Sequence, residues 1–168
     1  MIDYRMQHRP PDASTGAPLH DVTGNDVYPA DFYERPDWYL AHHKSDWEAI
    51  SKISFARGKP EHRIWIYRSV PRGVRLIHPG DWVAITKSYA RDEGRHPTDS
   101  NEDMEVLTAR VRAKDIHTAG DSFQEWGYNG PEVLKGTVVF RPRKKRASVT
   151  AEDVLGPSRK RRPWRGLP

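Results

Sequence analysis

The side chains of this sequence best suited to chemistry fall in three short stretches: "YRSVP" at 67–71, "GDWVAITKSYA" at 80–90 and "GDSFQEWGY" at 120–128. Each puts a polar or charged residue beside aromatic and apolar ones, at what the pattern reads as a strand or strand end. A charge placed there finds a partner or costs several kcal/mol. Arg68 and Glu125 are the charged residues at issue. Their plainest use is structural, each neutralising the other, and spacing alone weighs that use about equally with a functional one.

The elements that would position them are legible in part. The alternation in "RIWIYRS" predicts a strand over 63–69, "PRGV" a turn, and "HPGDWVAIT" a turn leading into a second strand at 82–86. "KSYARDEG" reads as the first turns of a helix. "MEVLTARVRA" alternates as a third strand, with Val106, Thr108, Arg110 and Arg112 on one face and Leu107, Ala109 and Val111 on the other. The stretch "DIHTAGDSFQEWGYNG" reads as a loop, and "EVLKGTVVFRPR" as one or two closing strands. Upstream, Ser45 with Glu48 three places on looks like a capping box and predicts a helix at about 45–54. Residues 1–24 are rich in turn formers with no period, which predicts a flexible leader. The aromatic stretch 27–39 offers Tyr28, Phe32, Tyr33, Trp38 and Tyr39 for packing rather than a lid. Together these elements predict an α+β domain over 25–140 between the leader and a C-terminal tail.

Charge is distributed unevenly. The net charge is +5, yet residues 141–168 hold ten basic and two acidic residues, so the remainder is slightly acidic. That tail predicts a disordered segment suited to phosphate backbones, with Trp164 able to stack on a base. With only 36% hydrophobic residues and a mean hydropathy of -0.87, a sizeable share of the chain is expected outside the core. The absence of cysteine removes thiolate nucleophiles, thiolate metal sites and disulfides. No apolar run approaches the roughly 18 residues of a membrane span, and the polar start predicts no signal peptide, so a cytoplasmic protein is expected. Neither a GxxxxGK[ST] nor a GxGxxG motif is present, and the histidines show no metal-site spacing.

The stretches "IYRSVP", "IHPGDWVAITKSYA" and "VRAKDIHTAGDSFQEWGY", with "DVYPADFYERPDWY" upstream, resemble in order the conserved regions of the ADP-ribosyltransferase superfamily. They look most like its phage-associated branch, over about residues 25–130. The resemblance implies a split β-sandwich with N-terminal helices, and NAD as the substrate cofactor. Arg68, after the aromatic Tyr67, would hold the phosphates or nicotinamide ribose. Thr86 would take the Ser/Thr position of the second motif, and Tyr89 or Trp82 would stack on nicotinamide. Glu125 would be the catalytic residue, stabilising the positive charge that develops on the ribose as nicotinamide leaves.

Two departures bear on the acceptor and on the second motif. Phe123 stands two places before Glu125, where arginine-modifying members carry Glu, which argues against arginine as the acceptor. "AIT" replaces a Ser-Thr-Ser type strand and leaves Thr86 alone to do its hydroxyl work. The implied function is transfer of ADP-ribose from NAD to a macromolecular acceptor, protein or nucleic acid, with NAD hydrolysis as a side reaction. In a phage setting that would take place in the host cytoplasm or on the virion. The alternative is a non-catalytic domain of the same fold that binds nucleic acid, or joins a virion, through its basic tail.

Overall fold

The computed structural model describes residues 9–39, 44–93 and 104–142. In chain order its elements are β1 (Ala17–Pro18), α1 (Lys44–Ala56), β2 (Arg63–Pro71), β3 (Leu76–Ile77), β4 (Asp81–Ala84), α2 (Lys87–Glu93), β5 (Met104–Arg112), β6 (Ile116–Thr118), β7 (Glu125–Tyr128), β8 (Leu134–Lys135) and β9 (Thr137–Phe140). The main sheet runs β1-β6-β7-β4-β2-β5-β9, and β3 pairs with β8 in a second, two-stranded sheet. Every pairing is antiparallel. This is a mixed α+β fold.

β2 and β5 are its spine, paired along their whole length from Arg63 opposite Arg112 to Pro71 opposite Met104. Alternation sends Ile64, Ile66 and Val70 to one face, where Leu107, Ala109 and Val111 meet them; all six are buried. α1 adds Ala49, Ile50, Ile53 and Ala56 to the same core, spaced so that one stripe of the helix is apolar. On the other face α2 brings Ala90 against Ala84 and Val106, flanked by Tyr67 and Tyr89. Helix thus covers sheet on both sides of the β2–β4 region. Among the described residues no helix is long and apolar enough to cross a membrane.

The aromatic segment packs inward. Phe32 is fully buried, with ring centroids 4.7 Å from Tyr28 and 5.9 Å from Phe123. Tyr28 stacks on Phe123 at 5.6 Å. Phe123 is therefore part of this aromatic cluster.

Besides β3, which lies where no strand is predicted, two regions differ from what the sequence predicts. The stretch read as a loop after Lys114 contains β6 and β7. The stretch read as a leader is part of the fold from Arg9 onward: β1 pairs with β6, and Leu19 and Val22 are fully buried. Both differences have one cause. Strands of two to four residues are too short to show a period, and Gly127 disguises β7 further. A Cβ at Gly127 would lie 2.1 Å from the Pro11 carbonyl oxygen, so glycine is what lets the N-terminal segment cross β7. Asn129 fastens that crossing by donating from Nδ2 to the Pro11 carbonyl at 2.8 Å. The basic tail beyond Pro142 lies outside the described residues.

Candidate active site

The strands carrying Arg68 and Glu125 lie close together because β4 separates β2 from β7. β4 and β7 pair over four residues, from Asp81 opposite Tyr128 to Ala84 opposite Glu125. β2 and β4 share only Tyr67 opposite Ala84. The sheet is continuous through that one pair and parts beyond it. Along the parting lies a groove of about 240 Å³, walled by Tyr67, Arg68, Ser69, Trp82, Ala84 and Glu125. A second hollow of about 490 Å³ adjoins it, formed by Pro10, Pro11, Asp12, Asp121, Trp82 and Glu125 among others. Trp82 and Glu125 belong to both, so they stand where the two concavities meet.

Glu125 leaves the sheet on the face of Tyr67 and Ala84. There the Tyr89 hydroxyl, presented by α2, donates to its Oε1 at 2.8 Å. Burial, and then the bond to Glu125, push the Tyr89 hydroxyl well above its ordinary value, so it stays a neutral donor. Tyr89 therefore meets the carboxylate directly. Trp82 is 38% exposed and lines both hollows. Tyr67 also lines the groove, its hydroxyl pushed up by burial and by the neighbouring Glu48 charge.

Arg68 leaves β2 on the opposite face, in line with Ile66 and Val70. Its guanidinium forms an ion pair with Asp81, whose Oδ2 also accepts the His78 backbone N–H at 2.7 Å. Arg68 and Glu125 border one open groove without neutralising each other, because the parted strands expose both lips of the seam. Burial works against the Arg68 charge, and Asp81 offsets that cost.

Thr86 stands behind the groove. It is fully buried, and its hydroxyl donates to Gln124 Oε1 at 2.6 Å, while Gln124 Nε2 donates to Asp46 of α1 at 3.3 Å. Because Gln124 precedes Glu125, this chain anchors the start of β7 to α1. Alternation turns Gln124 inward and Glu125 outward, so the two adjacent polar residues have separate tasks.

Sequence reasoning passed over Ser69. Its Oγ is buried and has no hydrogen-bond partner among the described residues, and the residue lines the groove on the Tyr67 side. A buried hydroxyl left unpartnered costs about 1–3 kcal/mol, a deficit that a ligand oxygen or a water can remove. The signal was a hydroxyl immediately after the arginine, two places from Tyr67 and so on its face. Compared with known proteins, the chain matches no family model, no curated protein and no solved structure.

Proposed function

We propose that this protein transfers ADP-ribose from NAD to a macromolecular acceptor and releases nicotinamide. The observation that carries this reading is the position of Glu125, a carboxylate held by a neutral hydroxyl where two hollows meet. A dinucleotide needs two adjoining spaces, and the bond to be broken needs a fixed anion at their junction. The order of the strands adds support, since those bearing Glu125, Ala84 and Arg68 are neighbours in the sheet.

In this reaction the bond between the nicotinamide nitrogen and the ribose breaks, and its electron pair stays with the ring, which leaves neutral. The ribose gains positive charge, which Glu125 stabilises more in the transition state than in the ground state. An acceptor nucleophile then bonds to the same ribose carbon and gives up its proton; water in that role yields free ADP-ribose. Trp82 supplies a stacking face for the cationic ring. The Ser69 hydroxyl and the Arg68 guanidinium supply hydrogen bonds to ribose and phosphate oxygens. Thr86 acts at one remove, through Gln124.

The test is nicotinamide release from labelled NAD by the purified protein, alone and with bacterial lysate. Release that falls about a hundredfold in Glu125→Gln, the scale of losing one key electrostatic group, supports the reading. No release under either condition overturns it. One observation favours a second reading, a binding module without turnover: the Arg68 guanidinium is already engaged by Asp81. NAD bound tightly and left intact would select that reading.

A further inference from the structure

The first half of the β2–β5 ladder carries a block of side chains that neither the core nor the groove uses. Arg63 lies directly opposite Arg112, and Trp65 directly opposite Arg110. Alternation puts all four on one face, the face of Tyr67 and away from Ile64 and Ile66. Trp65 is 49% exposed, and the Arg110 guanidinium stands 5.7 Å from its ring centroid. Two arginines directly across a ladder repel each other, and a half-exposed tryptophan forgoes burial.

The charges around the block lean positive. Arg112 is met by Asp115 at 2.8 Å and by Glu61 at 3.8 Å, and Lys114 also pairs with Glu61. Glu132 faces Arg63, Arg110 and Arg112 across a hollow of about 170 Å³. Four cations thus meet three acids. A flat aromatic face flanked by guanidiniums is the arrangement that stacks a base and holds the phosphates on either side of it.

We infer that this face docks single-stranded nucleic acid, with a base stacked on Trp65 and phosphates on Arg63 and Arg110. Trp65 lies two residues before Tyr67 on the same face, roughly 7 Å along the strand, and Tyr67 lines the groove. A strand held on the block is thereby led to the mouth of the groove. In naming that strand as the ADP-ribose acceptor the inference rests on the NAD reading; in naming the docking surface it does not. Transfer would break the bond to nicotinamide and form one from the ribose carbon to a base nitrogen or phosphate oxygen, whose proton goes to solvent where it carries one.

The experiment is fluorescence anisotropy of a labelled 20-nucleotide single-stranded DNA with the full chain, titrated across salt. Trp65→Ala is expected to weaken binding about tenfold and Trp65→Phe to keep most of it. Arg63→Ala with Arg110→Ala is expected to lower the slope of log affinity against log salt by about 1.4, two contacts' worth on a single strand. Arg159→Ala with Arg161→Ala removes equal charge from the tail. If that pair abolishes binding while Trp65→Ala leaves it unchanged, the tail binds and the block does not. Nicotinamide release measured on the same preparation separates the two proposals. Binding through Trp65 with no release keeps the docking surface and removes the NAD reading. Release from NAD by a protein that ignores the DNA does the reverse.

Discussion

Glu105 and Glu125 sit on the same sheet in opposite circumstances. Glu105 is buried, and three arginines converge on it: Arg75 at 2.7 Å, Arg141 at 2.8 Å and Arg72 at 4.0 Å. Burial alone would push its carboxyl up; Arg75, Arg141 and the Gly73 backbone N–H reverse that and hold it below its ordinary 4.5. Glu125 meets the uncharged hydroxyl of Tyr89, and shares its groove with a second carboxylate, Glu93. One negative charge is already answered by arginines that pin β9 and the turn after β2 to β5. On the proposed reading the other is oriented by Tyr89 and left open to the positive charge that develops on the substrate. The same residue type is structural in one place and, on the proposed reading, catalytic in the other because of what surrounds it.

The contrast can be tested by treating both alike. Glu125→Gln is expected to lower nicotinamide release about a hundredfold or more with the melting temperature nearly unchanged. Glu105→Gln is expected to lower the melting temperature by roughly 5 °C or more, with turnover per folded molecule intact. Equal effects of the two on both readouts would erase the distinction. Thr86→Val leaves the buried Gln124 oxygen short of its donor and is expected to cost about 1–3 kcal/mol of stability, read by denaturant unfolding; turnover should fall only as β7 loosens. Tyr89→Phe removes the donor to Glu125, with an expected fall of about tenfold in kcat and little change in KM. An unchanged kcat would mean that α2 positions nothing.

The smallest effect concerns pH. The carboxyl of Glu105 is depressed in the folded protein, so its contribution is complete above the unfolded value near 4.5 and is lost as pH falls through the lower folded value. Melting temperature followed from pH 6 to pH 3 should decline less steeply in Glu105→Gln than in the parent.

The sequence was informative where a period had room to repeat. β2, β5 and both helices follow from alternation or helical spacing in stretches of seven to thirteen residues, and the faces assigned to Leu107 and Val106 are those observed. β1, β6 and β7 escaped because, unlike the equally short β4, they have no apolar run after a turn signal to mark them, and because Gly127 and the Pro10–Pro11 pair speak of turns. At the site, Glu125, Trp82, Tyr67 and Arg68 were visible as polar or aromatic residues at strand ends. The ion pair of Arg68 with Asp81, the inward turn of Thr86 and the unmet Ser69 hydroxyl depend on where β4 parts from β2, which no local pattern records.

That parting has a mechanical consequence. With one rung joining β4 to β2, the backbone ladders form two rafts, β1-β6-β7-β4 and β2-β5-β9, joined by that rung, by the Arg68–Asp81 ion pair and by the packing of α2 on both. Each raft keeps its own ladder, so the seam between them is held by side-chain contacts and by very few backbone hydrogen bonds. A substitution that extended the rungs from Tyr67 toward Ser69 would close that seam.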